Sequence, residues 1–276
     1  MSAPDDKGML LGRNVPAVDV YSPGLLHPVP RQLARDSLCL PSSGELPFSG
    51  EDIWHAYELS WLDAAGKPVV RVGRLRVPAD TENLVESKSI KLYLNSLNSE
   101  RYSSDDEVAQ LIERDLSAVA GGAVICEVFD VGDAAFDGSR PPGECIDGFA
   151  PTGEFVEPAR DILRASESRI TRQVWHSHLL RSLCPVTGQP DWATLCVDFE
   201  GSELEPASLL AYVISFRRHQ EFHEQCVERI FCDIDAVAKP RFLSVQALYT
   251  RRGGLDICPW RSSEAGVAPG IRTNRQ

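Results

Sequence analysis

The stretch His55–Val77 reads HAYELSWLDAAGKPVVRVGRLRV. Its two halves, HAYELSWL and VVRVGRLRV, are strand-like runs, and the DAAGKP between them is a hairpin signal. Downstream, NLVESKSIKLYLNSL reads as extended in its first part. SSDDEVAQLIERDLSAVAGG reads as a helix: Val108, Leu111, Ile112 and Val119 recur at helical spacing, acids crowd the start and Gly-Gly closes it. AVICEVFDV is a further strand. The second half repeats the order loosely. WATLCVDFEG is a strand, PASLLAYVISFRRHQ and HEQCVERIFCDIDAVA are helices, and RFLSVQALYTRRGG is a strand. Val227, Ile230, Phe231, Ile234 and Val237 share one face of the second helix. The expectation is an α+β fold of two related modules, each an antiparallel sheet covered by helices on one side. The boundaries read as an irregular Pro/Ser/Gly-rich arm at 1–50, a first module at 51–131, a linker or long loop at 132–165 and a second module at 166–276.

Size and charge narrow the function. The chain has 276 residues, 43% of them hydrophobic and 25% charged, enough for a sizeable core. It contains no apolar run of about 20 residues, so no membrane span is expected. It starts without a basic-then-apolar leader, so the cytosol is the expected compartment. Forty acids against 28 bases give a net charge of −12. That balance repels a phosphate backbone, so nucleic acid is not the expected partner. Eight cysteines in a long chain without an export signal are expected to be reduced, and the absence of Cys-x-x-Cys argues against a zinc ribbon or a thioredoxin-type site.

Four segments can carry chemistry. LCPVTGQPDW (183–192) places Cys184 before a proline and Asp191 seven residues on, across a stiff turn. A thiolate can add to an electrophilic carbon while a nearby acid handles the proton; the alternative is a turn with a half-buried thiol. VESKSIKLYL (85–94), taken as a strand, puts Glu86, Lys88, Ile90, Leu92 and Leu94 on one face. That is either the mouth of a ligand pocket or a Glu86–Lys88 pair emerging into solvent. FHEQC (222–226) offers Glu224 as an acceptor for a planar heterocycle, with His223 as proton partner, or simply as a first-turn acid favoured by the helix dipole. His219 and His223 alone make an incomplete metal site. YTRRGGLD (249–256) joins Arg252 to Gly253, suited to a phosphate or merely to a turn. Gly-x-Gly-x-x-Gly and Walker A are both absent.

Taken together, Glu86-Ser-Lys-Ser-Ile-Lys-Leu-Tyr93, Cys184 with Gln-Pro-Asp191-Trp192, Phe222-His223-Glu224 and Tyr-Thr-Arg-Arg252-Gly253-Gly resemble the NADPH-dependent 7-cyano-7-deazaguanine reductases, the nitrile reductases of queuosine biosynthesis. The resemblance spans roughly residues 30–265 and is weakest over 130–165. It implies a tunnelling fold of two ββαα modules, a homodimer, 7-cyano-7-deazaguanine as substrate and two NADPH per amine formed, with no metal required. It implies Cys184 as the nucleophile that forms a thioimide, Asp191 as proton donor, and His223 as a partner in catalysis and binding. It also implies Val85, Glu86, Ser87, His223 and Glu224 as substrate contacts, and Ser87, Lys88, Arg252 and Gly253 as cofactor contacts. Two other readings use the same residues. One is a GTP cyclohydrolase-like tunnelling-fold enzyme, with Cys184 and His223 recast as zinc ligands. The other is a non-catalytic heterocycle-binding module.

Overall fold

The computed structural model describes residues 18–38, 40, 45–151 and 156–276, with all of their side chains except those at 167–169. Residues 1–17 of the expected arm and Cys39 lie outside the described residues. The fold is mixed α+β, with helices few and strands mostly antiparallel. The described residues divide into two compact units, one drawn from 18–37, 52–136 and 251–257, the other from 38–51, 137–250 and 258–276.

In the first unit, β1 (Pro28–Pro30) is followed by the short helix α1 (Gln32–Arg35). Next come β2 (Ser49–Leu62, within this unit from Asp52), β3 (Pro68–Pro78), β4 (Asn83–Val85), α2 (Ser87–Asn95), α3 (Asp105–Ala120) and β5 (Ile125–Asp130). The hairpin read from His55–Val77 forms. Its turn is tied by Asp63, whose carboxylate accepts from the Ala65 and Lys67 amides at 2.9 Å each. Strand order is β5-β3-β2, and β1 pairs antiparallel with β4. The α3 helix starts as expected, with Ser104 Oγ accepting from the Glu107 amide at 3.2 Å, and stops at Gly121 in the left-handed region. Val108, Ile112, Leu116 and Ala120, four residues apart, are fully buried.

The strand expected over 85–94 is wrong after Val85. Ser87–Asn95 is helical, and Glu86 is its N-cap, with a carboxylate oxygen accepting from the Lys88 amide at 2.8 Å. The alternation Ile90-Leu92-Leu94 competed with a 3.6-residue period, and the period wins. Ile90, Tyr93, Leu94 and Leu97 are the buried set, whereas Leu92 is only half-buried. Tyr93 also donates its hydroxyl to Asp115 on α3 at 2.8 Å, fixing one helix against the other.

The second unit holds β6 (Glu144–Cys145), β7 (Ala165–Leu183), β8 (Pro190–Leu204), α4 (Pro206–Ser215), α5 (His223–Ala238), β9 (Phe242–Tyr249) and the end of β10 (Leu255–Ser262, within this unit from Cys258). Strand order is β10-β9-β8-β7-β6, all antiparallel except the β6–β7 pair. Leu195, Val197 and Phe199 alternate onto one face of β8. Val227, Ile230, Phe231 and Ile234 of α5 are completely buried, and α5 packs on β7, β8 and β9.

A buried ion pair closes this core. Arg261 is wholly inaccessible and bonds Glu228 at 2.9 and 3.2 Å, with the Trp260 carbonyl at 2.9 Å. Arg261→Ala strips the guanidinium from a buried carboxylate. The expected loss, read by urea unfolding, is about 3–5 kcal/mol. Arg261→Met with Glu228→Leu recovers most of it. Equal losses in the single and double variants refute the pairing as the cause. No helix among the described residues is long and apolar enough to cross a membrane.

Candidate active site

The site in the second unit is built on the β7–β8 hairpin. Leu183 and Pro190 are the last paired residues, so the loop between them runs only from Cys184 to Gln189. Both main-chain groups of Cys184 are used inside this loop. Its amide donates to the Gln189 carbonyl and its carbonyl accepts from the Gly188 amide, each at 2.9 Å. The stiff turn anticipated from LCPVTGQPDW is therefore present, but Asp191 stands on β8 rather than in the turn. Asp191 opposes Ser182 across the ladder. Cys184 lies two residues beyond Ser182, just past the end of β7, with its amide still bonded to Gln189 opposite. Cys184 and Asp191 are both buried, at 4% and 7% exposure.

The start of α5 meets this hairpin. Leu183 donates its amide to the His219 carbonyl at 2.8 Å and accepts from the Glu221 amide at 3.2 Å, tying the chain before α5 to the end of β7. Phe222 is the N-cap, and Gln225 reaches back to its amide at 3.3 Å. His223, the first helical residue, then stands with Nε2 3.2 Å from Asp191 Oδ2. The His223 ring is stacked on Tyr249, centroids 3.9 Å apart and planes 16° from parallel. Its buried Nδ1 has no hydrogen-bond partner among the described residues. The arrangement joins a carboxylate and an imidazole, with the imidazole held flat by an aromatic floor. Glu224 follows in the first turn of α5, 4% exposed.

Burial raises the Tyr249 hydroxyl well above its usual range, so Tyr249 stays neutral beneath the imidazole. The His219–His223 pair is not a metal motif. His219 lies before the helix and bonds Glu221 at 3.1 Å, while His223 turns to Asp191. Burial pushes Glu221 up, but His219 and Arg229 outweigh it and hold the carboxyl below its ordinary value.

The remaining predicted residues belong to the first unit. Val85 ends β4, Glu86 caps α2, and Ser87 and Lys88 are the first two helical residues. Arg252 and Leu255 close a two-residue turn at 2.8 Å, and Gly253 and Gly254 at its tip have φ of 60° and 76°. A side chain at either position is strained. A Cβ on Gly253 falls 3.1 Å from Lys91 Nζ, and one on Gly254 collides with the Glu58 carboxyl. Gly253, Gly254, Lys91 and Glu58 line a cavity of about 340 Å³ with Asn95 and Asn98. Exposed glycine backbone under a lysine suits a phosphate, so the residues present fit a phosphate-bearing cofactor. The sequence reading missed Lys91, which its supposed strand placed on the other face, and it missed Tyr249 as the floor under His223. The order Tyr249-Thr-Arg-Arg252 named the tyrosine, but no local signal tells of a stacking partner 26 residues away.

Comparison with known proteins places the chain in a family. Residues 18–128 match the family described as nitrile reductase, 7-cyano-7-deazaguanine-reductase N-term, and residues 190–267 match the family described as QueF-like protein. The chain is 50% identical over 259 residues to a protein of Chromohalobacter salexigens named NADPH-dependent 7-cyano-7-deazaguanine reductase (94% of this chain, 93% of that one). Proteins of the same name from Azoarcus sp. and Teredinibacter turnerae are 50% and 49% identical, covering 92% and 95% of this chain and 90% and 93% of theirs. The solved apo form of the archaeosine synthase QueF-Like aligns with 35% of this chain and 96% of its own at 18% identity. Its TM-score of 0.31 is too low to carry the fold across. This chain is an oxidoreductase and belongs to the family of NADPH-dependent 7-cyano-7-deazaguanine reductases.

Proposed function

We propose that the protein reduces the nitrile of 7-cyano-7-deazaguanine to the primary amine 7-aminomethyl-7-deazaguanine through a covalent thioimide on Cys184, at the expense of two NADPH. The identity to the named reductases supports the overall reaction. The observation that supports the residue roles is the 3.2 Å contact of Asp191 with His223, on a β7–β8 hairpin whose loop starts at the buried Cys184.

The Cys184 sulfur adds to the nitrile carbon, and its proton, passed through Asp191 and His223, ends on the nitrile nitrogen, giving a C(=NH)–S thioimide. NADPH supplies a hydride to carbon in each of two reductions, each matched by one proton from solvent. The first gives a sulfur-bound hemiaminal. Departure of the thiol then leaves an imine, and the second gives the amine with Cys184 restored. Glu224, with His223, accepts the N–H groups of the guanine-like edge. Val85, Glu86 and Ser87 contact the heterocycle, and Ser87, Lys88, Arg252 and Gly253 hold the cofactor, to which Lys91 adds a positive charge over Gly253. A buried site keeps water from the imine.

The fold that fits this reading is the tunnelling fold, with modules at 51–131 and 166–276 and closure by homodimerisation in the cytoplasm. The net charge of −12 accords with a free base as substrate rather than tRNA. The test mixes protein, NADPH and 7-cyano-7-deazaguanine and follows NADPH absorbance against product. About two NADPH per amine are expected; a folded chain that consumes none overturns the proposal.

A further inference from the structure

We propose that Cys145, His176 and His178 form a zinc-type metal site, separate from the Cys184 hairpin, on the opposite face of the second unit's sheet. One ligand atom from each of the three lies within 4.8 Å of the other two. The topology makes the cluster. Cys145 of β6 is the direct partner of His176 in the parallel β6–β7 ladder, and His178 is two residues along β7. His176 in turn pairs with Cys196 of β8. Cys196 and Asp191 are five residues apart on one strand, and an odd separation puts them on opposite faces. His178 bonds Thr194, which shares the Cys196 face.

The imidazoles are already set for a metal. His176 Nδ1 stands 2.9 Å from the Pro142 carbonyl, which can only accept, so Nδ1 carries the proton and Nε2 keeps its lone pair. His178 Nδ1 is likewise engaged, at 2.9 Å from Thr194 Oγ1. Ligating histidines are oriented by such bonds at the far ring nitrogen. The rings meet edge to face, centroids 5.2 Å apart, and the backbone carrying them is pinned. Asp147 accepts from the Ser177 hydroxyl at 2.6 Å and the His178 amide at 3.1 Å, and Arg275 donates to the His178 carbonyl at 3.1 Å.

One thiolate and two imidazoles form a borderline-soft set that favours zinc over calcium or magnesium. Tetrahedral zinc brings its ligand atoms to about 3.3–3.8 Å from one another. The closure needed is about 1 Å, within reach of the exposed Cys145 side chain. A metal here clips the two-residue β6 to β7. The proposed reduction draws nothing from it.

The test strips the protein with a chelator, removes the chelator and titrates zinc chloride, then cobalt chloride. About one zinc per chain is expected, raising the Tm. Cobalt should give a thiolate-to-cobalt charge-transfer band that is retained in Cys184→Ala and lost in Cys145→Ser and His178→Gln, each checked for native circular dichroism. Absence of stoichiometric binding overturns the site. So does a band that survives in Cys145→Ser or disappears in Cys184→Ala, because the metal is then held elsewhere.

Discussion

With Cys184 replaced by alanine, NADPH oxidation in the presence of the nitrile is expected to fall below detection and the covalent adduct to vanish. Loss of a covalent nucleophile is worth up to about 10⁶-fold in rate, because no other group splits the difficult step in two. Intact mass makes the test direct. Thiol addition to a nitrile expels nothing, so the unreduced adduct carries the full mass of the substrate. Alkylation gives a second readout if the background is chosen correctly. Burial pushes the thiols of Cys126, Cys196 and Cys232 up to about 12 and that of Cys226 well above its usual range, so all four are quiet at neutral pH. Cys145 is exposed and competes. In Cys145→Ser protein, the thiol that reacts fastest and is shielded by 7-cyano-7-deazaguanine is expected to be Cys184. Normal turnover by Cys184→Ala refutes the thioimide outright.

Asp191→Asn is expected to lower turnover by about 10²–10⁴-fold, the usual worth of a positioned acid, while binding of the heterocycle persists. Asparagine keeps the shape and can still bond His223, but it can neither give nor take the proton. The 3.2 Å Asp191–His223 contact adds a discriminating arm. If the two work as a unit, His223→Gln and Asp191→Asn should be far from additive in kcat. Full additivity assigns His223 to substrate binding alone. Parent-rate reduction by Asp191→Asn removes the carboxylate from proton transfer.

Period decided which elements were legible beforehand. The α3 and α5 helices were readable because a 3.6-residue repeat, an acidic first turn and, for α3, a glycine stop agree. Ser87–Asn95 was misread because Ile90, Leu92 and Leu94 satisfy a two-residue repeat while Ile90, Tyr93, Leu94 and Leu97 satisfy the helical one; only the Glu86 cap breaks the tie. The β7 strand went unnoticed because its sequence alternates poorly and its ladder shifts register between Ser177 and Leu180. The β10 strand hides behind Pro259, a residue that argues against a strand. At the site, the motifs supplied residue types and order. The Asp191–His223 contact and the Tyr249 floor are tertiary, made by strands and a helix whose register no local pattern encodes.

The way Glu86 is employed sets a condition on ligand capture. Its carboxylate already serves the backbone of α2, closing the helix at its first turn. A guest that claims this oxygen competes with the protein's own main chain and must outbid a cap worth about 1 kcal/mol. Ligand arrival and fraying at Ser87 and Lys88 then become two sides of one exchange. If Glu86 contacts the substrate as proposed, amide protection at Lys88 is expected to fall as the carboxylate is drawn away and to recover when the product departs.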